Sequence, residues 1–425
     1  TLPPAPETIH LPNPIQAQET YNKASQNLTL ALLYLIAVAF IYQQSLLMSL
    51  VYFSFVILSL FSLYLALSPQ SSPRLGGQLL IRQLMFALPL TIGLFLLVPN
   101  LSPFWKLPEQ RTSSTGLSDT MTPGDIANLA ESNRLAFRAN FTQGQAPVQE
   151  DLYWRVMTLE LFNGRTWQMH PSRKDLSQFI ASRPQRPQTR LTYYIIAEPT
   201  QEAWLYGLSQ SRSSDRQVFL SPDDRLVYGG KVKQRVKYSA YIPTSLSEHI
   251  SIPAWELELN RRLPKQAHPK TRALAQQLWQ DLNLGQRRAA TAQEVANFSR
   301  RILNHLVLEN FRYSLTPGAL AGDHIDDFLF NKRVGFCAHF ASAYAVMMRA
   351  QGIAARVVTG YQGGEYNPNG DYYNIFDTSA HAWVEYWQPA GNNRFSLKGR
   401  WIRVDPTSAV APNRLRFGLS GVLGN

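Results

Sequence analysis

The stretch RVGFCAHFASAYAVMMRAQGIAARVVTGY, Arg333 to Tyr361, contains the single cysteine of a 425-residue chain. Cys337 follows Gly-Phe and opens a run that reads as a helix, with Gly352 as its C-terminal stop. ARVVTGY behind it reads as a strand. A thiol at a helix N-terminus sees the positive end of the backbone dipole and free amide donors, both of which favour thiolate. An unaided thiol titrates near ~8.5 and stays mostly protonated at neutral pH, so a nucleophile here needs an imidazole beside it. Alone, a free cysteine is equally well read as a small buried hydrophobe.

Two later segments supply partners. His381 lies in SAHAWVEYW and Asp405 in RWIRVDPTS. Both alternate as strands, and the thirteen residues from Trp387 to Gly399 can return the chain antiparallel. Pairing Tyr386 with Arg400 sets His381 opposite Asp405 and Trp383 opposite Arg403. Period-two alternation then puts the imidazole and the carboxylate on one face. An aspartate there accepts the ring N–H, fixes the tautomer and stabilises the imidazolium. Separately, His381 also reads as a strand-face histidine and Asp405 as a turn-forming Asp-Pro.

Upstream, the chain changes character. Residues 28–43 and 45–67 are uncharged and apolar, and 79–98 carries only Arg82 near its start. Runs of about twenty apolar residues read as transmembrane helices. The first two form a hairpin about Gln43 and Gln44, and Pro89 kinks the third. Lys23, Arg74 and Arg82 place the intervening loop in the cytoplasm, so three crossings leave everything after about residue 100 outside it. A linker (101–133) leads to a β-rich module (134–250), in which Leu135, Phe137, Ala139 and Phe141 alternate onto one face. Residues 251–415 mix helices and strands, including a capping box at Thr291 and Glu294. The tail 416–425, and a first residue that is Thr1, suggest a fragment of a longer chain.

These motifs carry a resemblance. GFCAHFASAYAVMMRAQGIAARVVTGY, AHAWVEYW and WIRVDPT resemble the three motifs of the transglutaminase-like superfamily, whose fold is papain-like. YWRVMTLELFNGRTW, FRYSLTPG and DDFLFNKRVGFC extend it to bacterial membrane-anchored transglutaminase-like proteins. The resemblance implies a multi-domain architecture: N-terminal transmembrane helices, an antiparallel β module, and an α+β papain-like transglutaminase-like domain. It implies Cys337 as nucleophile, His381 as general base and then acid, and Asp405 as orienting acid. Cys337's own amide is the oxyanion donor it suggests. Relatives often carry acids where this chain has Ala338 and Ser379, and full-length members typically end with another span.

The implied activity is acyl transfer through a thioester. A peptidase or amidase of the same fold is the alternative, as is an inactive membrane-tethered binding module. No cofactor or metal is called for: Cys337, His339, His381 and Asp405 lack a close-spaced zinc-type ligand pair. The net charge of +12 is spread along the chain rather than blocked, and no zinc-finger, Walker or RNA-binding signature appears, which argues against nucleic acid. The expected partners are the lipid bilayer and a protein, peptide or cell-envelope substrate. The expected location is the bacterial cytoplasmic membrane, multi-pass, with the catalytic domain periplasmic.

Overall fold

A computed structural model describes residues 117–122, 132–175, 179–181, 188–282, 291–393 and 395–417, with scattered positions between 27 and 89. It comprises two compact units, Thr1–Glu109 and Gln110–Asn425. In the first unit, every described residue of the three apolar runs is helical, including Tyr34, 54–59 and 81–83. The rest of 28–43, 45–67 and 79–98 lies outside the described residues. Among the described residues no helix is long and apolar enough to cross a membrane.

The second unit is built on strands β1 (Leu135–Gln143), β2 (Tyr153–Leu159), β3 (Thr189–Ala197), β4 (Val236–Pro243), β5 (Ile250–Ser251), β6 (Ala355–Gln362), β7 (Glu365–Asn367), β8 (Tyr372–Phe376), β9 (Ala380–Pro389) and β10 (Lys398–Val404). They form two antiparallel five-stranded sheets, in the orders β4-β3-β1-β8-β7 and β5-β10-β9-β6-β2. Both sheets draw strands from both sides of residue 250. Strand β2 of the β-rich stretch edges the second sheet, while β7 and β8 of the C-terminal stretch complete the first. The physical reason is burial: all eight residues of β6 are buried, so it needs a neighbour on each edge and takes β9 on one and β2 on the other. Phe137 of β1 and Trp154 of β2 meet edge-on at 5.3 Å, joining the sheets in one core.

Helices follow their local signals. Thr291 and Glu294 close the expected capping box at the start of Ala292–Leu308. Helix Cys337–Ala350 is buried almost all round, which its alanines permit. At its end, Gly352 has φ +71°. The Ile353 amide donates to the Met348 carbonyl at 3.1 Å and the Gly352 amide to Arg349 at 2.9 Å, a Schellman stop.

Two constraints set the strand that bears His381. Gly360 lies opposite it across β6–β9, at a register shift between β6 and β2. A Cβ there would sit 1.9 Å from the Trp154 carbonyl oxygen. Beside it, a buried ion network crosses three strands. Arg155 of β2 grips both oxygens of Glu385 of β9, and Arg356 of β6 donates to Glu385 at 3.0 Å. Burial raises the proton affinity of Glu385, but Arg155 and Arg356 outweigh it and hold the group at about 2.

Gly360→Ala is expected to cost ~1–3 kcal/mol through overpacking, measured by denaturant unfolding. Glu385→Ala, which strands two buried guanidinium groups, is expected to cost ~3–5 kcal/mol in the same measurement.

Candidate active site

Helix α1 (Cys337–Ala350) begins after Phe336, whose extended backbone is its N-cap. Phenylalanine has no acceptor to offer, and His339 substitutes: its Nδ1 accepts the Phe336 amide at 3.3 Å. Burial lowers the His339 pKa to about 4, so the ring is neutral and Nδ1 can accept. It packs edge-on against Phe336 and tilted over Phe328. This is a structural role, the capping of the helix start. Cys337 is the first residue of α1, where a helix leaves amides without internal acceptors.

The imidazole Nε2 of His381 lies 2.7 Å from Asp405 Oδ2. The expected strand register is off by two: Val384 faces Val404, Glu385 faces Arg403 and Gln388 faces Arg400. Strand β10 pairs to Gly399, opposite Pro389, where a Cβ would come within 2.3 Å of the Gln388 carbonyl oxygen. A slip of two keeps every side chain on its face, so Asp405 reaches His381 diagonally rather than directly across.

Asp405 is also the N-cap of helix α2 (Pro406–Val410). Its Oδ1 accepts the Thr407 amide at 2.9 Å, and Pro406 at the first helical position needs no acceptor. Oδ2 takes a second donor besides the imidazole, the Tyr153 hydroxyl at 2.8 Å. Burial raises the Asp405 pKa, but His381, Tyr153 and the Thr407 amide together hold it below the ordinary carboxylate range.

The remaining ring nitrogen, Nδ1, has no partner at strict hydrogen-bonding geometry. The Cys337 sulfur is nonetheless near enough to act on the imidazole by charge and as a hydrogen-bond partner. Hydrogen bonds in unliganded sites are often long and tighten with substrate. Burial lowers the His381 pKa, but Asp405 and then Cys337 overcome it, pushing the ring up to about 9. Cys337 is 1 % exposed and His381 0 %. Helix α3 (Pro412–Phe417) adds Leu415, which packs with Tyr153, Val358 and Trp383. Arg414 donates to the Thr378 carbonyl at 3.1 Å, three residues before His381.

The fold thus brings together the three residues singled out in the sequence. Trp383 packs edge-on to Tyr153 at 5.2 Å. Tyr153, Gly360 and Arg414 carried no local signal, because each acts through a partner remote in sequence. Asp326 and Asp327 precede α1 as loop anchors. Asp326 caps helix Pro269–Gln280 through the Lys270 and Thr271 amides, and Asp327 accepts from Ala321 and Asn331. Among the described residues, His268, Asp323 and Asp326 offer possible metal-ligand atoms within 4.8 Å. The donor set fits a metal poorly: both Asp326 oxygens hold that helix start, and Asp323 accepts the His268 amide and ring.

Residues 18–244 match the TgpA N-terminal domain, and residues 282–406 match the transglutaminase-like superfamily. The chain belongs to the TgpA-type transglutaminase-like family. A protein-glutamine gamma-glutamyltransferase of Pseudomonas aeruginosa is 41 % identical to this transglutaminase-like chain over 359 residues, 84 % of the chain and 49 % of the relative. The chain therefore spans about half the length of that relative. An uncharacterized Bacillus subtilis protein, YebA, is 39 % identical over 89 residues, 20 % of the chain and 11 % of the relative. The crystal structure of the periplasmic domain of TgpA from Pseudomonas aeruginosa superposes with a TM-score of 0.61 at 40 % identity, covering 72 % of this chain and 99 % of that one.

Because Asp405 raises the His381 pKa, Asp405→Asn is expected to lower it from about 9 by more than ~1 unit. Titration of the imidazole by NMR reads this directly, and an unchanged midpoint would refute the assignment.

Proposed function

We propose that this protein is a membrane-anchored thiol acyltransferase of transglutaminase type, acting outside the cytoplasm on protein, peptide or cell-envelope substrates. Cys337 is its nucleophile, His381 its base and acid, and Asp405 its orienting group. The observation that carries the reading is the 2.7 Å contact of His381 with Asp405 on a ring that the Cys337 sulfur also acts on, in a chain of this family.

The chemistry follows from the charges. An imidazolium that persists to about pH 9 is the counter-ion a thiolate needs at neutral pH. The thiolate adds to the carbonyl carbon of a glutamine carboxamide, and the carbonyl electrons move to oxygen. Amides at the start of α1 are placed to receive that oxyanion. Collapse breaks the C–N bond, and the imidazolium gives its proton to the departing ammonia, leaving a thioester on Cys337. An amine then attacks the thioester while neutral His381 removes its proton. Expulsion of the thiolate leaves a secondary amide and restores the ion pair.

Burial of the sulfur and ring keeps bulk water off the reacting atoms, which strengthens the ion pair. The anchoring reading rests on the three apolar runs. It is supported by Tyr34, Leu58, Ile81, Met85 and Phe86, helical residues each more than 60 % exposed, as lipid-facing positions are. The periplasmic reading draws on the relative whose solved domain bears that description.

Cys337→Ala is expected to reduce incorporation of an amine into a glutamine peptide by at least ~10³-fold with the unfolding transition retained. Mass spectrometry of the wild-type chain with the peptide alone is expected to show an acyl adduct on Cys337. An active alanine variant would sink the mechanism.

A further inference from the structure

The superfamily match begins at residue 282, yet one of the groups that meets Asp405 lies far upstream of it. Tyr153 sits on β2, 252 residues before Asp405, on the sheet edge that pairs Tyr153 with Gln362. Its hydroxyl donates to Oδ2, the same oxygen that holds the His381 imidazole. We propose that Tyr153 is a positioning residue for the acyl-transfer site, fixing the Asp405 carboxylate and moderating its pull on His381, so that the upstream β-rich stretch is part of the catalytic apparatus.

The ring is held for that task. Trp383 packs edge-on to it at 5.2 Å, and the Arg403 guanidinium lies over its face at 4.1 Å. Leu415 and Val358 close the remaining sides. Tyr153 is only 5 % exposed, so water is a poor substitute donor. The charged and titratable groups that face the phenol are Asp405, Arg403 and Asp151, and the His381 ring centroid is 6.2 Å from its own. Burial and then Asp405 push the phenol far above its ordinary pKa, so it stays protonated and the hydrogen bond has one direction, from tyrosine to carboxylate.

Two donors on one oxygen share its charge. The Tyr153 hydroxyl lowers the basicity of Asp405 and so weakens the electrostatic hold on the imidazolium. Removing it frees the carboxylate to rotate about its Thr407 contact, and leaves Oδ2 with His381 as its remaining listener among these donors. The two effects separate in experiment: misplacement lowers turnover, and the undivided charge raises the histidine pKa. Neither touches substrate binding, because the Tyr153 hydroxyl acts on the reacting atoms through Asp405.

The proposal rests on the triad reading, and the test is arranged to separate the two. On the full chain, Tyr153→Phe is expected to lower kcat by about 10- to 100-fold with KM little changed, and to raise the His381 midpoint above the wild-type value in an NMR titration. A 3-fluorotyrosine at position 153, which keeps the shape but donates more strongly, is expected to move that midpoint the opposite way and to remain folded if the phenylalanine variant does not. Wild-type kcat in Tyr153→Phe, or a His381 midpoint unmoved by either replacement, overturns the proposal while leaving the triad intact. Activity retained in Cys337→Ala overturns the triad itself, and the titration still reports whether Tyr153 governs the carboxylate.

Discussion

One carboxylate organises the site. Asp405 ends a strand and begins a helix, and its two oxygens divide the work: Oδ1 takes the Thr407 amide, Oδ2 takes the imidazole of His381 and the hydroxyl of Tyr153. The helix start fixes the carboxylate in space, and the carboxylate fixes the ring. A buried ion is costly unless its lone pairs are filled. Three donors meet that need here, which is why the group can stay charged although it is nearly sealed from solvent. The elevated proton affinity of His381 is the direct result.

Around this centre the sheet must hold its register, and a buried ion cluster on the same face as His381 contributes to that. Arg155, Arg356 and Glu385 tie three neighbouring strands at the level just beyond Trp383. Arg356 also approaches Glu256 at 3.5 Å, and Arg173 joins Glu160 to Glu256. Such networks contribute little net stability over an apolar core, yet losing one partner is severe. Arg349, near the end of α1, donates to the carbonyls of Ala355, Arg262 and Glu160. One side chain thereby ties the cysteine-bearing helix to the start of β6, the residue after β2 and the loop before Pro264.

Much of this was legible in the chain. Helix boundaries at Thr291 and Gly352 came from capping chemistry, which is local. The pairing of His381 with Asp405 followed from alternation on two strands, and it survived a two-residue register error because parity, not register, decides the face; Cys337, on a helix, joined them only through the family resemblance. Where sequence reading ran out, the determinants were non-local. Alternation in LYWRVMTLELF marks a strand but does not name its neighbour, so β2 was assigned to a separate module rather than to the sheet of His381. Tyr153 looked like one core aromatic among many. Gly360 gave no sign of the approaching Trp154 carbonyl, and the charges of Arg155 and Glu385 did not reveal that they pair 230 residues apart.

The exchange of strands between the two sheets has a consequence for the newborn polypeptide. An arrangement whose decisive contacts join Tyr153 to Asp405 and Arg155 to Glu385 cannot exist until nearly all of Gln110–Asn425 has been synthesised, and long-range pairing of this kind is intrinsically slow to form. A partly made chain therefore holds an unaligned thiol and an untethered imidazole. Under the proposed mechanism competence arrives late, and the sulfur meets its imidazole only after the scaffold around it has closed.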